Sequence, residues 1–234
     1  MFNGKMKAVT FSYDDGITQD QRFIDLLNKY GLKGTFNINS GLCEQNGSLL
    51  REDVTVAHVR PRACELRRIY EGHEVAAHTC THRFLVGTPE QEIIDQVEND
   101  RLALSEIMGY EVVGFAYPGG GINHDARAAK IIRENTGVKY ARTTDSSFSF
   151  DLQDDLFEFK PTVYHHVEFD KMIELGEKFI SLKPDKPQLF YIWGHAYEFD
   201  VRPGDWDRVE EFFKLISGHD DIFYGTNREV LLGE

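Results

Sequence analysis

The chain has 234 residues, 41% of them hydrophobic, and 39 acidic against 26 basic side chains give a formal charge of −13. That length suits one domain around one core, and the charge argues against nucleic acid or an anionic membrane as partner, since both need clustered Lys and Arg. No run approaches the ~20 apolar residues that span a bilayer. Cys43, Cys64 and Cys80 form no C-x-x-C pair, so three reduced thiols are expected. Residues Met1 to Lys5 do not read as a secretory leader, and a cytoplasmic location is the corresponding expectation.

Strand and helix patterns alternate along the chain. Met6 to Ser12 reads as a strand that runs into two acids, and Thr18 to Tyr30 as a helix with Thr18 as its cap, Gln21 completing a capping box and Gly31 at its end. Gly34 to Ile38 is a short strand, and the polar stretch from Asn39 to Asp53 reads as loop. A helix over Ala63 to Tyr70 leads to a strand at Glu74 to Ala77. Thr88-Pro89-Glu90-Gln91 opens a long helix that Gly109 stops. Val112 to Tyr117 is a strand, followed by a turn, Pro118 to Gly121, and a helix capped by Asn123 that ends at Thr136. Val138 to Thr143 and Leu189 to Trp193 read as strands, Phe169 to Ile180 and Asp205 to Ile216 as helices. This alternation, without repeats or linkers, gives one α/β domain over residues 1–234 with a mainly parallel sheet or barrel. Ligands of such folds gather at the carboxyl ends of strands.

The reactive residues sit at those ends. Asp14 and Asp15 are adjacent carboxylates, which repel unless a cation or proton intervenes. Gly16 allows a sharp turn that aims both at one pocket, although Asp-Gly alone reads more readily as a solvated turn. His78 and His82 are four apart, a spacing that puts both imidazoles on one side of a helical turn, within reach of one metal. Two His and one Asp leave positions open for water and substrate, and the spare carboxylate is placed to take a proton from metal-activated water. A non-haem iron oxygenase uses the same ligand types but leaves Asp14 and His195 without a task.

The motifs resemble those of the polysaccharide deacetylases, carbohydrate esterase family 4. Thr10-Phe11-Ser12-Tyr13-Asp14-Asp15-Gly16 is similar to the family's T-F-D-D-G in expanded form, and His78, Thr79 and His82 match its H-[ST]-x-x-H, with a typical lead-in from Tyr70 to Ala77. The resemblance implies a distorted (β/α) barrel with about seven mainly parallel strands. It also implies that Asp14 is the general base and that Asp15, His78 and His82 bind one divalent metal. Zinc fits this ligand set best, and cobalt, nickel, manganese and iron are admitted. Phe115-Ala116-Tyr117-Pro118-Gly119-Gly120 resembles F-R-P-P-Y-G with two departures. Gly119 replaces a Tyr but keeps the backbone N–H that serves as oxyanion donor. Ala116 replaces the Arg that tethers the base, and Arg142 is the candidate substitute. Tyr117 and Pro118 are candidate substrate contacts.

The family's D-x-x-D-W is poorly preserved. Asp145, in Thr143-Thr144-Asp145-Ser146, is a candidate for orienting the catalytic His, with a plain loop acid as the competing reading. Leu189 to His195 resembles L-x-L-H and makes His195 the general acid, with Trp193, Tyr197 and Glu198 as substrate contacts. The resulting expectation is hydrolysis of acetyl groups, N-acetyl before O-acetyl, on an acetylated oligo- or polysaccharide. An amidohydrolase acting on a small cyclic amide and a degenerate relative that holds metal and glycan without turnover are the alternatives. His58, His73, His124 and His219 read as exposed or structural, and at most one of His165 and His166 faces the metal.

Overall fold

The computed structural model describes residues 2–233. Its strands are β1 (Lys7–Asp14), β2 (Gly34–Ile38), β3 (Asn46–Arg51), β4 (Val54–Val59), β5 (Glu74–Ala77), β6 (Gly114–Ala116), β7 (Tyr140–Arg142), β8 (Val163–Tyr164), β9 (Gln188–Gly194) and β10 (Ile222–Tyr224). Its helices are α1 (Asp20–Lys29), α2 (Ala63–Ile69), α3 (Glu90–Met108), α4 (Ala126–Asn135), α5 (Phe169–Ser181), α6 (Asp205–Ile216) and α7 (Asn227–Leu232).

Alternation along β1 sets the architecture. Val9, Phe11 and Tyr13 join the large apolar cluster beneath the helices. Thr10, Ser12 and Asp14 point the other way and are also buried. Buried polar groups need partners. Thr10 Oγ1 donates to Asn227 Oδ1 at 2.9 Å, Asn37 Nδ2 donates to Ser12 Oγ at 2.9 Å, and Arg142 donates to Asp14. The interior of the sheet is therefore a hydrogen-bonded polar column that ends at the reactive acids.

The main sheet runs β7-β6-β5-β2-β1-β9-β8, with every neighbouring pair parallel, and β10 lies beside β1 as a further parallel strand. One edge of β1 is shared: β10 pairs with Lys7 to Val9, and β2 with Phe11 to Asp14. The segment from Phe159 to Tyr164 links the sheet's two ends. Thr143 N donates to Phe159 O at 2.9 Å on the β7 side, and Thr162 N to Tyr191 O at 2.8 Å on the β9 side. The sheet must curl to allow this, and the result is a distorted (β/α) barrel. Among the described residues no helix is long and apolar enough to cross a membrane, and all three cysteines are free.

Several local expectations change. The stretch read as loop up to Asp53 contains β3, which pairs antiparallel with β4 in a separate two-stranded sheet. Glu52 and Asp53 form its tight connection with positive φ, 47° and 65°. Gly and Ser inside β3 hid its alternation. Helix α1 starts at Asp20 rather than after a Thr18 cap; Asp20 Oδ2 accepts the Ile17 N–H at 3.1 Å and holds the first turn. Before α3, the Thr88 hydroxyl donates to Phe84 O instead of capping the helix. Asp125, not Asn123, caps α4 by accepting the Ala128 N–H at 2.7 Å. Asn123 instead ties the glycine turn, donating to Tyr117 O and Gly119 O at 3.0 and 2.9 Å.

Candidate active site

The carboxyl ends of β1, β5, β7 and β9 open into a cleft of about 480 Å³, and the β3–β4 hairpin forms one wall. Asp14, Asp15, His82, Gly119, Trp193 and His195 line the cleft from the barrel side, and Leu49, Arg51, His58 and Arg60 from the hairpin side.

Asp15, His78 and His82 come together. Asp15 Oδ1 lies 3.8 Å from His78 Nε2 and 3.5 Å from His82 Nε2. Each of the three offers a ligand atom within 4.8 Å of the others. Asp15 Oδ1 and His78 Nε2 are buried without a hydrogen-bond partner among the described residues. Orphaned buried polar atoms are costly, and a cation between them removes that cost, so the donor set fits a divalent metal.

The chain bearing the histidines is not helical, contrary to the helical-turn expectation. Thr79 and His82 have φ of 63° and 56°, and Asp15 has φ of 81°. Left-handed backbone at non-glycine residues costs about 1–3 kcal/mol each, and it clusters where geometry is imposed. Side chains of other elements hold this loop. Asp100 Oδ2 accepts the His78 N–H at 2.8 Å, and Asn39 Nδ2 donates to His78 O and to Thr79 O. His78 Nδ1 donates to Ala116 O at 2.8 Å, which fixes the tautomer and leaves Nε2 as the ligating atom. Burial pushes His78 down to about 4, against the pull of Asp14 and Asp15, so the ring is neutral as a ligand requires. Burial would raise the Asp15 carboxyl, but the His58 hydrogen bond and the surrounding histidines hold it well below the usual range.

Asp14 is held by Arg142, whose Nη2 lies 2.6 Å from both of its oxygens, and by Asn37 Nδ2 at 2.8 Å from Oδ1. Arg142 is fully buried, and its guanidinium carbon sits 4.5 Å from the centre of the Trp193 ring. It stands in register with Ala116 on the neighbouring strand. Arg142 thus supplies a cation to Asp14 from the strand beside Ala116, the position at which the motif resemblance expects an Arg.

His195 Nδ1 bonds Glu198 Oε1 at 3.1 Å, and the His195 backbone N–H donates to Oε2 at 3.0 Å. Burial alone would depress His195, but the charge and hydrogen bond of Glu198, with Asp15 and Asp14 behind, raise it to about 9. Burial would likewise raise Glu198, yet His195 brings it down to about 2. The Tyr164 hydroxyl donates to the same Glu198 oxygen. Glu198 lines the cleft, but both of its oxygens are engaged with His195.

The other predicted positions divide. Trp193 and Tyr197 line the cleft, as does Gly119, whose φ of 84° strains any residue with a Cβ; such a Cβ would also lie 2.0 Å from the exposed Phe84 ring, which would have to move. The Tyr117 ring is buried, and its hydroxyl donates to Phe157 O; Pro118 is also buried. Asp145 is half-exposed beside Lys160 at 3.7 Å, and the structure does not bring it to His195. His166 lines the cleft, whereas His165 is stacked between Tyr13 and Phe199. His58, read as exposed or structural, is buried with Nε2 at 2.9 Å from Asp15 Oδ2, and Arg60 Nη1 donates to its Nδ1 at 3.3 Å. The alternation Val54, Val56, His58, Arg60 was the available signal, because it places all four on one face.

The polysaccharide deacetylase family model matches residues 3–140. No curated protein matches. Among solved structures, a polysaccharide deacetylase assignment from Mycobacterium smegmatis aligns with TM-score 0.69 and 18% identity over 98% of this chain and 90% of that one. A family 4 carbohydrate esterase from Streptomyces lividans, in complex with acetate, aligns with TM-score 0.56 and 14% identity over 95% and 92%. A family 4 pseudoenzyme from Bacillus anthracis aligns with TM-score 0.57 and 15% identity over 97% of this chain and 66% of that one. The motifs at the strand ends, the curled parallel sheet and a family match over more than half of the sequence agree: the chain belongs to the polysaccharide deacetylase family.

Proposed function

We propose that the protein is a metal-dependent hydrolase that removes acetyl groups from a carbohydrate. One observation carries the reading. A buried Asp15–His78–His82 donor set with orphaned ligand atoms stands beside a second carboxylate, Asp14, that has its own cation. A divalent ion in that set, with zinc the best fit, would supply an activated water and a positive charge for the developing oxyanion. Asp14 takes the proton from the water, and Arg142 and Asn37 keep its carboxylate aimed. The Gly119 N–H donates to the oxyanion. His195, held by Glu198, protonates the departing atom. The Glu198 carboxylate hydrogen-bonded to its ring favours the protonated form, which suits amide hydrolysis, because an amine leaves poorly without a proton. Trp193 and Tyr197 supply apolar walls near the acetyl methyl.

The Arg142 contact also favours turnover over a relative that only binds, because the base is not left without a tether. Acetate release from N-acetylated and O-acetylated oligosaccharides, with and without chelator, tests the reading. The expected result is chelator-sensitive release that falls by about 10²-fold or more in Asp14→Asn, with metal content unchanged. Undiminished release from Asp14→Asn removes the assignment.

A further inference from the structure

Charge around the cleft does not balance. Three acids line it, and each is engaged: Asp14 with Arg142, Asp15 with the histidine set and His58, Glu198 with His195. Two arginines line it as well, Arg51 and Arg60, and neither forms an ion pair among the described residues. Arg51 donates to the Tyr197 hydroxyl at 3.0 Å, and Arg60 to His58. Arg60 Nε is buried and has no hydrogen-bond partner among the described residues. A guanidinium has five N–H donors, so each keeps most of them for something else. This surplus of positive charge sits in a protein with a formal charge of −13. A low-dielectric cleft focuses such a field.

Resting on the deacetylase reading, we infer that the substrate is an acidic acetylated saccharide, and that Arg60 and Arg51 recognise its carboxylate or phosphate groups. Both anions match the fork of a guanidinium. The two arginines meet different parts of the substrate. The Arg51 guanidinium lies 5.6 Å from the Tyr197 ring, whose centre is 5.3 Å from that of His58, whereas Arg60 reaches His58 directly at 3.3 Å, so the two head groups sit on opposite sides of the His58–Tyr197 pair. Arg60, beside His58 and hence beside Asp15, meets the sugar being deacetylated. Arg51, on the Tyr197 side, meets a neighbouring sugar. A repeating anionic chain satisfies both.

The experiment uses oligomers of N-acetylglucosamine whose C6 is the ordinary hydroxymethyl, is oxidised to a carboxylate or carries a phosphate ester on O6, together with an O-acetylated oligouronide and its carboxyl-reduced form, all on the zinc-loaded full chain. The expected kcat/KM is at least about tenfold higher for an acidic member than for its neutral counterpart, and the advantage shrinks as salt rises. The carboxylate and phosphate arms tell the two anions apart. Arg60→Gln collapses the acidic-to-neutral ratio for monomers and oligomers, and Arg51→Gln collapses it for oligomers only. A neutral member hydrolysed as fast as its acidic counterpart overturns the inference, as does a ratio that survives both substitutions, and either result leaves the deacetylase reading intact. If no member releases acetate, that reading falls. Calorimetric titration of the zinc-loaded protein with the deacetylated oligomers then decides the charge question: tighter acidic binding that is lost in Arg51→Gln upholds it, and equal affinities overturn it.

Discussion

Glu198 follows three residues after the imidazole it bonds, on a single turn of 3-10 helix from Ala196 to Asp200, so the proposed acid and the group that orients it travel together. Its charge raises His195, and removing that charge lowers it. In Glu198→Gln, His195 therefore gives up its proton at lower pH, and the alkaline limb of kcat/KM is expected to move toward neutrality while the carboxylate-dependent acid limb stays. A pH–rate profile of the two proteins checks the direction. His58 occupies the second oxygen of Asp15 and so fixes the carboxylate's rotation. Replacing such an outer partner typically costs 10–100-fold in metal affinity, so His58→Ala is expected to release zinc to a competing chelator roughly tenfold more readily. At this scale the sequence was partly legible. Asp14, Asp15, His78 and His82 stand in recognisable spacings. Arg142 comes from motif comparison as the substitute for the Arg missing at Ala116, and the structure brings it to Asp14 through a contact between elements that no local pattern states; Glu198 reads from the sequence as a substrate contact because a Glu three residues after His195 looks like one more polar loop residue.

The loop that carries the two histidines is fastened to its neighbours at a few close approaches. Gly41 N donates to Cys80 O at 3.0 Å, and a Cβ on Gly41 would lie 2.7 Å from that same carbonyl oxygen. Because the obstacle is backbone, the loop itself must shift. Gly41→Ala is expected to lower stability by about 1–3 kcal/mol and to weaken metal binding at the same time; denaturant melts and zinc titration measure the two effects. Elements with strong periodicity or long apolar runs, β1, β9 and α3 among them, were visible in the sequence at nearly their true bounds. The caps were not. Thr18, Thr88 and Asn123 have the right chemistry, but each hydroxyl or amide found another nearby partner, and short polar side chains choose freely among such partners. The hairpin was missed because Gly47 and Ser48 interrupt β3, and its partner strand lies beyond the stretch read as loop.

At the scale of the molecule, the barrel interior is unusual in what fills it. Asn227, at the start of α7, accepts from Thr10 and donates to the Tyr191 hydroxyl, and its N–H donates to Thr35 Oγ1. The Thr35 hydroxyl bonds Glu74, and Glu74 accepts from Tyr140. Such a column specifies one arrangement when every member is satisfied, and its open end is the proposed metal site. A metal bound there would be linked to folding. At free zinc about 100-fold above Kd, the linkage stabilises by about 2.7 kcal/mol, so stripping the metal is expected to lower Tm by roughly 5 °C or more. An identical melting curve in chelator would contradict the assignment of Asp15, His78 and His82. The parallel α/β order of the whole could be read from the sequence, because alternation survives errors at element ends. The closure through Phe159 to Tyr164 could not, since it rests on isolated bonds rather than on a strand of any length.

The β3–β4 hairpin shares no ladder with the barrel. The groups proposed for catalysis sit on barrel strand ends, whereas the hairpin supplies Arg51 and Arg60 and reaches inward through one side chain, His58. On the roles proposed above, chemistry and selection are carried on separate pieces of backbone. Exchanging about fifteen residues between two fixed anchor points, with the histidine kept, would then alter substrate preference and leave the barrel ladder untouched.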